Sequence, residues 1–262
     1  VQAVKEQVDK YMHLMVYGEF IQKPQINFAK LLCDLLPDPL DSVFLVNSGS
    51  EAIEGAMKLS KRFTGREEII ACKNAYHGGT HGALSLYSDE TLKNAFRPLL
   101  PNINFIEFNN PKDLEKITTK TACVILEPVQ GEGGVIIPEN DYLKKVRERC
   151  NETGTLLVFD EIQTGFGRTG ELFAFQKYDV IPDIFAIAKA MGGGMPIGGF
   201  VSSHEIMKSL TFNPMLGHIT TFGGHPVSAA AAYANLKFIN DNPKLIQEVE
   251  EKGNLFKNQL IK

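Results

Sequence analysis

Residues 156–170 read LLVFDEIQTGFGRTG. Leu156, Leu157, Val158 and Phe159 run without alternation into Asp160, and such a run fits a strand covered on both faces rather than one with a wet side. Six other short runs share this character: VFLVN (43–47), EIIACKNAY (68–76), INFIEF (103–108), ACVILEP (122–128), IFAIAK (184–189) and GGFVSS (198–203). Between them lie longer amphipathic stretches. SEAIEGAMKLSKRFTG carries Ile53, Met57, Ser60 and Phe63 on a helical period and closes at Gly65, a C-cap signal. YLKKVRERCNETG reads as a surface helix ending at Gly154, and KEQVDKYMHLMVYGEF and HPVSAAAAYANLKFI read as helices near the two ends. Strands alternating with helices predict an α/β fold with a mostly parallel sheet, and ligands gathered at the strand ends.

Composition narrows the function. The 262 residues are 44% hydrophobic, enough for one large core, and the formal net charge of −4 builds no general attraction for nucleic acid or an anionic membrane. Cys33, Cys72, Cys123 and Cys150 are scattered without a CxxC pair, which suggests reduced thiols and a cytoplasmic protein. No uninterrupted apolar stretch has the length of a membrane span. The chain opens on Val1 rather than methionine and stops within the charged pattern IQEVEEKGNLFKNQLIK, so both ends are expected to be incomplete.

Three features carry chemistry. Ser48 and Glu51 in NSGSEA stand at capping-box spacing, which places Gly49 and Ser50 in a helical first turn whose free N–H groups attract an anion, phosphate especially. Neither a GK[ST] sequence nor a GxGxxG helix start accompanies it, so neither a P-loop nor a dinucleotide fingerprint is present. Asp160 closes an apolar strand, as a helix cap or as the partner of a buried cation. Glu161 would face the other side of the strand, while Ile162 returns to the face of Asp160 and Gln163 reaches a nearby polar atom. Lys189 ends an apolar run before a cluster of glycines, and is read as a buried lysine needing a partner, a lowered pKa or a covalent role. Pyridoxal phosphate would explain all three features, since it requires a lysine for its aldehyde, an acid for its ring nitrogen and a dianion site.

The stretches NSGSEA, AYHGGT, ILEPVQGEGG, LLVFDEIQTGFGRTG, FAIAKAMGGGMPIGG and HITTFGGHP, in this order, resemble the class III aminotransferases of the fold-type I pyridoxal-phosphate enzymes. The resemblance runs from about Val43 to Pro226. It implies a large cofactor domain over 41–240, preceded by a helical lead-in over 1–40 and followed at 241–262 by the start of a small C-terminal domain. It also implies that Lys189 forms the internal aldimine, that Asp160 pairs with the ring nitrogen and that Gln163 bonds the ring oxygen. Ile162 and Tyr76 would flank the ring, and Gly49 and Ser50 would hold the phosphate. Thr221 would be lent to the neighbouring subunit of a homodimer, and Glu127 and Glu132 would border the substrate pocket. The implied reaction moves an amino group from an amino acid or ω-amine to a 2-oxo acid in two half-reactions. An aminomutase, racemase or decarboxylase on the same cofactor is the enzymatic alternative, and a non-catalytic binding module is the alternative outside catalysis. The family pattern aromatic-x-Gly-Arg-Thr becomes Tyr76, His77, Gly78, Gly79, Thr80, so Gly79 stands where a carboxylate-binding arginine is expected. His77 and His81 are spaced i, i+4, but the glycines between them argue against a metal pair. Arg168 is read as the anchor of the glycine-rich loop.

Overall fold

A computed structural model describes residues 1–260. All seven apolar runs become strands: β1 (Ser42–Val46), β2 (Glu68–Cys72), β3 (Ile103–Ile106), β4 (Thr121–Leu126), β5 (Leu156–Asp160), β6 (Ile184–Ile187) and β7 (Gly198–Ser202). They form one sheet in the order β1-β7-β6-β5-β4-β2-β3. Only β7 runs against its neighbours, β1 and β6, and the other pairings are parallel. Consequently β1, β2, β4, β5 and β6 all deliver their C-terminal residues to the same edge of the sheet.

In β2, β4, β5, β6 and β7 the absence of alternation has the cause expected of it, because these strands bury both faces, whereas the edge strands β1 and β3 are only partly covered. Ile69, Ala71, Cys123, Ile125, Val158 and Ala186 pack on one side with Ile53 and Met57 of helix α3 (Gly49–Thr64). Ile70, Val124, Leu157, Phe159 and Phe185 pack on the other. There they meet α2 (Lys23–Asp34), α4 (Tyr142–Thr153) and α5 (Pro226–Asp241) through Phe28, Val146 and Leu236. Each large side chain buried in this way contributes about 1.5–3 kcal/mol.

Local signals set the helix ends. Ser48 Oγ accepts from Glu51 N at 3.2 Å at the start of α3, and Gly65 ends it at φ 67°. Glu51 does not complete the expected capping box, because its carboxylate accepts from Asn47 N at 2.7 Å and Asn47 Nδ2 at 2.9 Å. Two expectations fail nearby. Phe63 is 40% exposed, since the buried stripe of α3 runs through Ile53, Met57 and Ser60 and leaves Phe63 outside it. The first helix, α1, spans Gln2–Lys10 only, and the residues from Tyr11 to Gln22 form no helix. The final described helix is α6 (Lys244–Leu260). Among the described residues no helix is long and apolar enough to cross a membrane.

Candidate active site

The C-terminal sheet edge carries a cavity of about 270 Å³. Five connections that leave the sheet there line it. After β1 come Ser48, Gly49 and Ser50; after β2, Tyr76, His77 and Gly78; after β4, Glu127 and Glu132; at the end of β5, Asp160, Ile162 and Gln163; after β6, Lys189. Ser48 and Lys189, 141 positions apart in the chain, thus line one cavity because β1 and β6 run parallel on either side of β7.

Asp160 is 4% exposed. Its Oδ1 accepts from Ile162 N at 3.0 Å, and its Oδ2 lies 2.8 Å from Nδ1 of His77, whose residue is 1% exposed. An ionised carboxylate can only accept, so the imidazole proton of this pair belongs on Nδ1, and each carboxylate oxygen keeps acceptor capacity toward the cavity. His77 Nε2 is buried and has no partner among the described residues. The role of His77 is absent from the sequence reading, which weighed it only as a metal ligand with His81. The two histidines part, since His81 Nε2 lies 2.8 Å from the carbonyl oxygen of Pro98.

Glu127 is 4% exposed and accepts from Tyr76 N at 3.3 Å and Gly131 N at 3.2 Å. Burial pushes its carboxyl above the ordinary carboxylate range, against the opposing pull of His77. Glu132 lines the same cavity but is exposed. Tyr76 is 45% exposed, with its ring tilted against Tyr87 at 5.4 Å.

Lys189 corrects the expectation of a buried lysine. The residue is exposed, although the run before it, Ile184 to Ala188, is buried. Strand β6 ends at Ile187, and a 3-10 turn over Lys189–Gly192 brings Lys189 into the cavity lining. Its φ of 47° is a left-handed conformation that costs a non-glycine residue about 1 kcal/mol or more. Asn235 of α5 braces the turn by donating to Ala190 O at 2.7 Å. Lys189 Nζ makes no hydrogen bond or ion pair among the described residues. The buried lysine of the described chain is instead Lys93, 4% exposed, with Glu90 at 3.4 Å and the Phe105 ring 4.8 Å below its ammonium.

The loop after β2 closes onto the start of α3. Gly79 N donates to Ser50 Oγ at 3.1 Å, and a Cβ on Gly78 would fall 2.9 Å from Ser50 Cα. Gly78 also sits at φ 127°. Gly78→Ala is therefore expected to cost about 2–4 kcal/mol and to open the loop, because strain and overlap with backbone add. At Gly79 a Cβ would meet nothing within 4 Å. Gly79→Ala should stay within about 0.5 kcal/mol of wild type. Chemical denaturation of both variants checks the contrast, and equal stabilities would show that the loop does not close as described.

These features fit pyridoxal phosphate. The first-turn N–H groups of Gly49 and Ser50 have no intrahelical acceptor and suit a dianion, Asp160 offers a buried carboxylate, and Lys189 offers an unpaired amine. Of the residues expected at the site, Thr221 alone does not line the cavity. It is exposed on the loop before α5, whereas its neighbour Thr220 accepts from Asn47 Nδ2 at 3.3 Å.

The sequence profile described as Aminotransferase class-III matches residues 1–262. The chain belongs to the class-III aminotransferase family. It is 43% identical over 226 residues to a [LysW]-aminoadipate semialdehyde/glutamate semialdehyde transaminase of Sulfolobus acidocaldarius, a match covering 86% of this chain and 57% of that enzyme. It is 41% identical to an acetylornithine aminotransferase of Methanopyrus kandleri, covering 97% of this chain and 64% of the relative. The chain thus spans about three fifths of the length of these class-III relatives. Among solved structures, an ornithine aminotransferase from Toxoplasma gondii superposes with a TM-score of 0.91 at 30% identity, covering 99% of this chain and 62% of that one. Fold-type I, expected from the motifs, is the fold of this class-III chain.

Proposed function

We propose that this chain is the cofactor-binding portion of an aminotransferase that passes an amino group from an amine or amino-acid donor to a 2-oxo acid. The observation that carries the reading is the convergence in one cavity of an unpaired lysine, a buried carboxylate at a strand end and a helix start with free N–H groups. Pyridoxal phosphate bound there would supply an electron sink for the charge left on a substrate carbon when its proton departs.

The residues of the chain divide the remaining work. Gly49 and Ser50 would hold the phosphate group, Ile162 and Tyr76 would flank the ring, and Gln163 would hydrogen-bond the ring oxygen. Asp160, held by Ile162 N and His77, would keep a positive ring nitrogen protonated. Lys189 would hold the aldehyde, and its Nζ would carry the proton to and from the substrate carbon. Glu127 and Glu132 border the substrate. Three carboxylates against one ammonium in the cavity lining, with Gly79 lacking any charged clamp, support a donor that presents an amine without a carboxylate at that point.

The reading includes a cytoplasmic homodimer in which Thr221 reaches the neighbouring subunit's phosphate site. The four free cysteines are compatible with a reducing compartment. Exposed Phe20, Ile21, Met215, Leu216, Ile219 and Phe222 support a second copy as the cover of this side of the molecule. The residues to 40 serve as lead-in, 41–240 as the cofactor domain, and those from 241 belong to a second, smaller lobe. The test is a screen of amines and amino acids against 2-oxoglutarate and pyruvate with added pyridoxal phosphate. Equimolar appearance of the new amino acid and loss of donor amine is expected. Carbon dioxide release or inversion of the donor without transfer would replace the aminotransferase reading by another reaction on the same cofactor.

A further inference from the structure

Beside the cavity, but turned away from it, Glu161 is 0% exposed and carries both its oxygens in hydrogen bonds. Oε2 accepts from Thr164 Oγ1 and, at 3.0 Å, from Ala174 N, and Oε1 accepts from Phe175 N at 2.8 Å. Its main chain is tied as well, with Glu161 N donating to Ala186 O and Gly165 N donating to Glu161 O, each at 2.9 Å. The residues between Glu161 and Ala174 form the glycine-rich loop that begins with Ile162 and Gln163. One buried carboxylate therefore fastens the start of this loop to its end. Arg168, expected to anchor the loop, is exposed and makes no hydrogen bond or ion pair among the described residues.

We propose that Glu161 is a positioning residue for the cofactor site, a clamp that holds the 162–173 loop closed so that Ile162 and Gln163 stand in the cavity beside Asp160. This deepens the cofactor reading and rests on it for the roles of Ile162 and Gln163. A carboxyl group suits the task in either protonation state. As a carboxylate it accepts all three bonds, and as an acid its hydroxyl hydrogen turns to Thr164 Oγ1 while both oxygens still face the amides. A carboxamide cannot, because one of its ends is an NH2 that must confront a backbone N–H.

The clamp also has a pH signature. Burial pushes the Glu161 carboxyl up to about 7 from an ordinary value of 4.5, with the neighbouring Asp160 acting in the same direction. Tyr178, on the short helix that Glu161 caps, is the other titratable group that senses it. A raised pKa in the closed state means that the closed loop binds the proton more tightly than the open one. The contribution of Glu161 to closure is thus complete below about pH 4.5 and declines as pH rises through about 7.

The test compares wild type, Glu161→Gln and Thr164→Val. Trypsin cleavage after Arg168 and hydrogen exchange at Ala174 and Phe175 report the loop without cofactor, and titration with pyridoxal phosphate reports the cavity. Glu161→Gln is expected to speed cleavage and exchange at least 10-fold, with strands β4 to β6 still protected, and to weaken cofactor binding at least 10-fold. In wild type, cleavage should accelerate from pH 6 to 8 relative to an unstructured peptide with the same site, and in Glu161→Gln that acceleration should be absent. Wild-type loop protection and cofactor affinity in Glu161→Gln would overturn the proposal. If that variant does not fold, the milder Thr164→Val decides: a looser loop over an intact sheet supports the clamp, and an unchanged loop overturns it. Should wild type bind no pyridoxal phosphate, the cofactor reading fails separately, while cleavage and exchange still decide whether Glu161 holds the loop.

Discussion

Lys189→Ala is expected to lower the rate of amino transfer more than about 1,000-fold while leaving the cofactor-free protein as stable as wild type. The two halves of this expectation have separate causes. Among the described residues the amine is the only group of its kind in the cavity lining, so no other lining residue can replace it as covalent anchor. The side chain is exposed, so its removal forfeits little buried area, and the unfolding midpoint should move by no more than about 0.5 kcal/mol in free energy. Borohydride treatment in the presence of pyridoxal phosphate, followed by denaturation and peptide mapping, should leave label on the peptide containing residue 189 in wild type and none in the variant. A variant within 10-fold of the wild-type rate would remove Lys189 from the reaction.

Asp160→Asn is the second large effect, about 100- to 1,000-fold in rate, because it deletes a charge aimed at where positive charge must be held. The amide is nearly the same size and keeps one oxygen for Ile162 N, which donates to Oδ1 at 3.0 Å. Its NH2 then faces His77 Nδ1, 2.8 Å from the present Oδ2, so the imidazole must give up its Nδ1 proton to keep a hydrogen bond. The loss should therefore fall on turnover more than on folding. Steady-state kinetics with a saturating cofactor checks this, and an unchanged rate would mean that His77 and Asp160 form a structural pair only.

The strands and the strand-end acid were legible because their cause is local. A central apolar run such as ACVILEP is buried on both faces, and Asp160 follows such a run directly. The environment of Lys189 was not legible, since its exposure depends on a turn braced by Asn235, 46 positions later in the chain. Glu51 looked like half of a capping box, yet Asn47, one residue before the cap, captured its carboxylate. His77 and Glu161 were missed for the same reason: their partners, Asp160 in one case and the amides of Ala174 and Phe175 in the other, lie across a loop or a strand crossing that spacing does not reveal. The Glu161 clamp did leave a trace, a carboxylate three residues before a threonine, but that pattern is too common in proteins to interpret alone.

The pairing of β1 with β7 has a consequence for biosynthesis. Val46 is aligned with Gly198, so the strand that leads into α3 waits about 150 positions for its sole hydrogen-bonded neighbour in the sheet among the described residues. At roughly 5–20 residues per second of translation, the interval is roughly 8 to 30 s. Throughout it the nascent chain carries the apolar segment VFLV on the ribosome with both backbone edges unsatisfied, while β2 can meet β3 far sooner. The first piece of the site to be synthesised is thus among the last to be assembled, and a ribosome-bound intermediate halted before Gly198 should engage chaperones through that segment.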